Sequence, residues 1–252
     1  YNYSLFLTNT GNVICFPFNN FIRDSTGAYL SNIVKIGCRK NNLLMYFINK
    51  DNVIFQATAT IPANVFTVFS VSAATNVVGL GGQGIMRNIR QVDGGLSYTV
   101  FLTITGEVYV LGDNTYGQLG TGDNLAVSVP SYMKGLNGSG NVKDIIKVSC
   151  GNYYTLLLSK TTKVLATGYN QGGILGIGNT SNINVLKEVL TTDGTQSLTG
   201  IKDISCGVAN VSSMMAAVLL LGQNNSIYIN GASTATTGLL TLLNTSYNLN
   251  RT

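Results

Sequence analysis

The chain has 252 residues, 45% of them hydrophobic and only 10% charged, against roughly 25% charged in an ordinary soluble domain. Fifteen cations and ten carboxylates leave a net charge of +5, and they are scattered, so there is no strong nucleic-acid signal. Neither His nor Trp occurs; Ser-His-Asp and Cys-His engines are excluded, and no cofactor or metal site is expected.

In chain order, the start "YNYSLFL" has neither an initiating Met nor a signal pattern, and the chain is expected to be a processed or trimmed piece of something longer. "YSLFLTNTGNVICFPFNN" (3–20) reads as strand, turn and strand. "IVKIGC" (33–38) is a further short strand. The stretch between Asp51 and Arg87 carries no charge, but Gln, Thr, Ser, Asn and Pro62 interrupt it, so no membrane span is expected there. Within it "GLGGQG" (79–84) satisfies G-x-G-x-x-G, yet neither a helical period nor an acidic residue follows at the spacing a dinucleotide fold needs. The clearest unit comes next: "IRQVDG" (89–94), "YTVFLT", the turn "ITG", "EVYVLG", the loop "GDNTYGQLGTGD" (112–123), and a last strand over about Val127–Met133. The pattern repeats with "IIKVSC" (145–150), "GYNQGGILGIGN" (168–179) and a strand over about Val185–Val189. "IKDISC" (201–206) opens another copy; "MMAAVLLLG" (214–222) is too short to cross a bilayer, and "NSIYINGAS" (225–233) matches "GEVYVLGDN" (106–114).

A shift of 56 residues superimposes these copies. It carries Ile33 to Ile89, Ile145 and Ile201, and Ile36 to Val92, Val148 and Ile204. The opening residues are a clipped fifth copy, with Gly11 opposite Gly106. Three or four short strands per unit make a small antiparallel sheet that cannot bury both faces alone, so neighbouring copies must stack; radial stacking gives an all-β β-propeller. A single domain over 1–252 is expected, with units near 1–30, 31–86, 87–142, 143–198 and 199–252. The clipped first copy is what a ring closed by joined termini would show, with the C-terminal segment completing the first blade.

The glycine loop admits two readings. One is a phosphate nest of backbone N–H groups. The other is a turn the fold needs in each blade, with Gly supplying positive φ, Asn bonding its own backbone and a leucine tucked beneath. The repetition, and the missing Lys-Ser/Thr of a phosphate-binding loop, favour the turn. Its structural residues are then Gly112, Asn114, Gly117, Leu119, Gly120 and Gly122, and in the next copy Gly168, Asn170, Gly173, Leu175, Gly176 and Gly178. Cys38, Cys150 and Cys206 share one phase, with Gly94 between them, so this slot is expected to take a small buried side chain, and four reduced thiols are expected.

"GGLSYTVFLTITGEVYVLGDNTYGQLGTGD" and "CGNYYTLLLSKTTKVLATGYNQGGILGIGN" resemble the regulator of chromosome condensation (RCC1) repeat family. The resemblance implies a seven-bladed ring, and it implies His where Tyr98 and Tyr154 stand, which marks a divergent member. Four and a half copies are too few for that ring, so the chain is a fragment, or blades have lost their signature, or the ring is smaller. The family's roles, as the resemblance implies them, include nucleotide exchange on a small GTPase, chromatin binding, protein binding in ubiquitin ligases, light sensing and enzyme inhibition. Fold alone does not choose among them.

The expected function is a non-catalytic protein-interaction or structural module with a protein partner, in a larger assembly, on a virion or extracellular surface. The motive is low charge with Asn, Thr, Ser and Gly in its place. The alternative is a guanine-nucleotide exchange factor. An enzyme is disfavoured by sparse carboxylates: Asp113 and Asp123 flank one glycine loop but become Tyr169 and Asn179 in the next. The uncharged segment 57–86 and the insertion near Met214 are the departures from the repeat, and the expected contact surfaces.

Overall fold

The structure is a computed structural model that describes residues 4–16, 20–40, 44–60, 70–207, 217–231 and 239–243. It is an all-β propeller of about five blades. The first sheet holds β1 (Ser4–Leu7), β2 (Val13–Phe16) and β3 (Asn20–Phe21) in that order. The second holds β4 (Ile33–Cys38), β5 (Leu44–Asn49), β6 (Ile54–Thr60) and β7 (Ser70–Val71), with β8 (Thr75–Asn76) also paired to β6. The third holds β9 (Ile89–Gly94), β10 (Tyr98–Thr103), β11 (Val108–Gly112) and β12 (Val127–Tyr132). The fourth runs β13 (Ile145–Cys150), β14 (Tyr154–Ser159), β15 (Val164–Gly168), β16 (Ile183–Glu188), and the fifth β17 (Ile201–Cys206), β18 (Ala217–Gly222), β19 (Ile227–Gly231), β20 (Thr241–Leu243).

The 56-residue phase appears as packing. Ile33, Ile89, Ile145 and Ile201 are all buried, and each sends its backbone N–H to the preceding sheet's hairpin. The acceptors are the carbonyls of Gly11, Asn52, Gly106 and Thr162, at 3.0–3.2 Å. The residue just before each isoleucine is left-handed: Asn32, Asn88, Asp144 and Gly200 all have positive φ. Asn, Asp and Gly are the side chains that tolerate this conformation, so the kink that starts each blade is written in a position the hydrophobic pattern does not show.

Four hydrophobic clusters fill the four junctions between successive sheets. The junction of the third and fourth sheets buries Val100, Leu102, Leu119, Met133, Val148 and Leu157. Among the described residues no cluster joins the fifth sheet to the first. Thr241–Leu243 pairs with β19 inside the fifth sheet; residues 244–252, the rest of the C-terminal segment expected to complete the first blade, lie outside the described residues.

"GLGGQG" is a further repeat element rather than a nucleotide fingerprint. Gly79 N–H donates to Gly84 O, as Gly135 N–H does to Gly140 O and Thr191 N–H to Gln196 O, closing the same small loop in three successive inter-blade connections.

The cysteine slot departs from expectation. Cys150 is buried and Cys206 partly so, but Cys38 is exposed. β4 shows only Ile33 fully buried where β13 buries Ile145, Val148, Ser149 and Cys150. In the third blade a Cβ at this phase would lie 2.9 Å from Tyr98 O, a clash that Gly94 avoids; burial is set by each blade's neighbours, not by the phase.

Candidate functional site: glycine loops, channel wall and two unlike ends

Both glycine loops have one geometry. Asn114 is buried; its Oδ1 accepts Leu119 N–H at 2.9 Å, and its Nδ2 donates to Asp123 O at 2.9 Å. Asn170 does the same with Leu175 N–H and Asn179 O, both at 2.9 Å. Leu119 and Leu175 lie buried beneath. Gly112, Gly117, Gly120 and Gly122, and their counterparts Gly168, Gly173, Gly176 and Gly178, all have positive φ.

The loop's N–H groups are spent internally. Gly117 N–H goes to Asn114 O, Gly120 N–H to Gly117 O and Gly122 N–H to Asn184 O. A phosphate nest needs converging free N–H groups, and these three have protein acceptors. The carbonyls are spent on the next blade: Gly117 O accepts from Thr167 Oγ1 at 2.9 Å, and Gly173 O from Asn230 Nδ2. Thr155 Oγ1 likewise donates to Gln118 O at 2.8 Å. Each loop is a clamp on its successor.

Where the resemblance implies His, a tyrosine makes a blade-to-blade contact. The buried Tyr98 hydroxyl shares its proton between Tyr154 O and Gly151 O, the latter at 3.1 Å. Tyr154 repeats the reach, donating to Gly207 O at 3.0 Å. Tyr98→Phe should cost about 1–2 kcal/mol, the net value of a buried hydrogen bond with a stranded acceptor. Urea unfolding would read it as a lower midpoint at unchanged slope; an unshifted midpoint would show that the hydroxyl contributes nothing.

The innermost strands β4, β9, β13 and β17 stand side by side, stitched by side chains. Gln91 Nε2 donates to Val148 O at 2.7 Å, and Cys150 N–H donates to Asp93 Oδ2 at 2.8 Å. Cys206 N–H donates to Ser149 Oγ at 3.0 Å. Cys150 and Cys206 are unsuited to nucleophilic work, because burial pushes both thiols up, Cys206 to about 12, whereas a reactive cysteine needs a lowered value. Among the described residues no three His, Cys, Asp or Glu side chains group to hold a metal, and no helix is long and apolar enough to cross a membrane.

Burial also pushes the Asp93 carboxyl above the usual carboxylate range, against the Cys150 and Gly94 N–H groups and Lys40, which pull it down. Folded Asp93 therefore keeps its proton to higher pH than unfolded Asp93 does. Its contribution to stability is full below the unfolded value of about 3.9 and is lost as pH rises through the folded value. The stability difference, wild type minus Asp93→Asn, should fall with rising pH across that window and then level off. Urea midpoints taken at successive pH values check this; a difference that rises or stays flat there refutes it.

The two ends of the propeller differ. The end carrying the glycine loops bears a tyrosine group: Tyr116 lies 5.0 Å from Tyr153 and 5.2 Å from Tyr169, centroid to centroid, edge to face. It also carries Asp113 and Asp123, which accept Thr115 and Leu125 N–H within their own loop, and Arg39 and Lys40, whose charged ends donate inward to Thr99 Oγ1 and Cys150 O. The opposite end carries the β-hairpin turns and most of the lysines. No sequence periodicity marks the tyrosines, since they come from a loop, a turn and a strand end at unrelated phases. The segment 57–86 supplies β7, β8 and the 79–84 turn, while 61–69 and 208–216, the centres of the two expected contact surfaces, lie outside the described residues.

Two family models, both described as the regulator of chromosome condensation (RCC1) repeat, match residues 105–158 and 89–118. The ultraviolet-B receptor UVR8 of Arabidopsis thaliana is 35% identical over 108 residues, which is 42% of this chain and 24% of that protein. Protein RCC2 of Homo sapiens is 36% identical over 83 residues, 33% of this chain and 15% of its own length. The chain is a divergent RCC1-repeat protein. Its matched repeats span a quarter or less of these relatives' length. The RCC1-type fold extends beyond the matched repeats: the crystal structure of Prp20p from Saccharomyces cerevisiae aligns with a TM-score of 0.65 over 97% of this chain and 62% of that one, at 13% identity. Together the two models cover residues 89–158, the third blade with its glycine loop and the first two strands of the fourth.

Proposed function

We propose that this RCC1-type propeller is a non-catalytic module that binds a protein partner or takes a structural place in a larger assembly. The observation that carries this is the internal use of the repeat's polar groups: loop N–H groups close their own loop or reach the next blade, and loop carbonyls, Tyr98 and the channel-wall side chains bond to the next blade. What faces outward is two ends of unlike chemistry, the usual arrangement for a scaffold that presents loops. The likeness to Prp20p, described with binding to Gsp1p and histones, supports a protein as the partner.

A photo-reactive residue placed at Tyr153 on one end and at Lys143 on the other, in the cells that make the protein, tests the module. Discrete protein adducts from at least one end are expected, and no adduct from either would end the reading. The low charge and the Asn, Thr, Ser and Gly content favour a virion or cell surface as the setting. Exposed Lys50 and Lys160 should then react with a membrane-impermeant amine reagent on intact particles or cells. Reaction only after lysis removes the surface setting and leaves the module. The Prp20p likeness also favours a second reading, nucleotide exchange on a small GTPase; accelerated nucleotide release in the protein's presence would put it first.

A further inference from the structure

The net charge of the described chain is not spread over the propeller. The glycine-loop end has Arg39 and Lys40 against Asp113 and Asp123. The hairpin end gathers Lys50, Arg87, Lys143 and Lys160 on its turns and connections, all exposed. Lys35, Arg90 and Lys147 add to it from the first turns of the innermost strands, around the channel mouth. The acids there, Asp24, Asp51, Glu107, Asp144, Glu188, Asp193 and Asp203, are fewer than the cations, which also include Arg23, Lys134, Lys163, Lys187 and Lys202. Among the described residues, ion pairs at this end join Lys147 to Asp203, Lys163 to Glu188 at 2.7 Å and, loosely, Lys160 to Asp144 at 3.8 Å.

Two of the mouth cations, Lys35 and Arg90, are also held in place without being neutralised. Lys35 Nζ donates to Arg90 O at 2.6 Å, and an Arg90 guanidinium N–H donates to Ile146 O at 2.9 Å. A neutral carbonyl fixes the side chain and leaves the charge, so little ordering remains to be done on binding. Exposed aliphatics share this end: Val34 on β4, next to Lys35, and Ile104 on the hairpin of the third blade, each 49% exposed. We infer that the hairpin end of the channel docks an acidic, partly aliphatic segment of a partner protein. This rests on the module reading above and names the chemistry of its partner. Nucleic acid fits less well, because the cations are single and spaced, and aliphatic side chains rather than stacking rings stand beside Lys35.

The test uses the full chain and two fluorescent peptides, one alternating Glu and Leu and one alternating Lys and Leu, with a short DNA duplex as a third probe. Anisotropy should show the Glu–Leu peptide binding in strong preference to the other two, with affinity falling about tenfold between about 0.05 and 0.2 M salt. Lys50→Glu, Arg87→Glu and Lys143→Glu together should weaken it by at least about tenfold. The three Gln replacements should weaken it about threefold, which keeps the test open if the reversed variant does not fold. Equal binding of both peptides, no effect of either variant set, or tighter binding of the duplex overturns the inference. Protein adducts still forming from Tyr153 in that event leave the module standing.

Discussion

Asn114→Ala should lower stability by about 2–4 kcal/mol, and Asn170→Ala by a similar amount. Each asparagine is fully buried and serves two ends of its loop at once, accepting from the N–H five residues on and donating to the carbonyl nine residues on. Alanine supplies neither partner. The Leu119 N–H is left buried and unsatisfied, at about 1–3 kcal/mol, and the loop loses the tie that seats Leu119 in the junction with the fourth blade. Thermal denaturation followed by circular dichroism should show a fall of roughly 5–15 °C for a chain of this size. A fall of a degree or two would mean that the loop closes without its asparagine.

Gly117→Ala should be at least as damaging, and its contrast with Gly122→Ala separates two roles that look alike in the sequence. Both glycines have φ above +80°, so either alanine carries left-handed strain of about 1–2 kcal/mol. At Gly122 nothing lies within 4 Å of the added carbon, and strain is the whole cost. At Gly117 the carbon would sit 2.4 Å from Ile183 O and 2.5 Å from Asn184 Cα. Those are backbone atoms of the next blade's outer strand and cannot swing aside, so the junction must open. A loss of more than about 3 kcal/mol is expected for Gly117→Ala, and urea midpoints for the two variants give the comparison. Equal losses would show that the loop's glycines serve conformation alone and not the approach of blades.

Much of this architecture is readable from the chain, and for a definite reason. Apolar strand positions and turn glycines recur at 56 because each junction poses the same packing problem. Ile33, Ile89, Ile145 and Ile201 could therefore be placed together before any coordinates. Asn32, Asn88, Asp144 and Gly200 share that period but not one residue type, and their common left-handed φ leaves no hydrophobic signal. Cys38 was misjudged because exposure depends on what the neighbouring blade supplies. The glycine loops are legible as a pattern, but their grip on the following blade depends on Thr167 and Asn230, which match neither in type nor in loop sequence. The tyrosines at one end and the cations at the other escape a periodic reading because they are what the repeat does not require.

The hairpin carbonyls, the glycine-loop clamps and the tyrosine hydroxyls all point from one blade to the following one. Coupling of that kind behaves as a row of dominoes, each unit leaning mainly on its immediate successor, with Lys40 reaching one blade farther to Cys150 O. Loss of order in one blade is then felt first by its neighbours and travels one unit at a time. Among the described sheets the second, third and fourth, each packed on both faces, are the ones expected to hold longest.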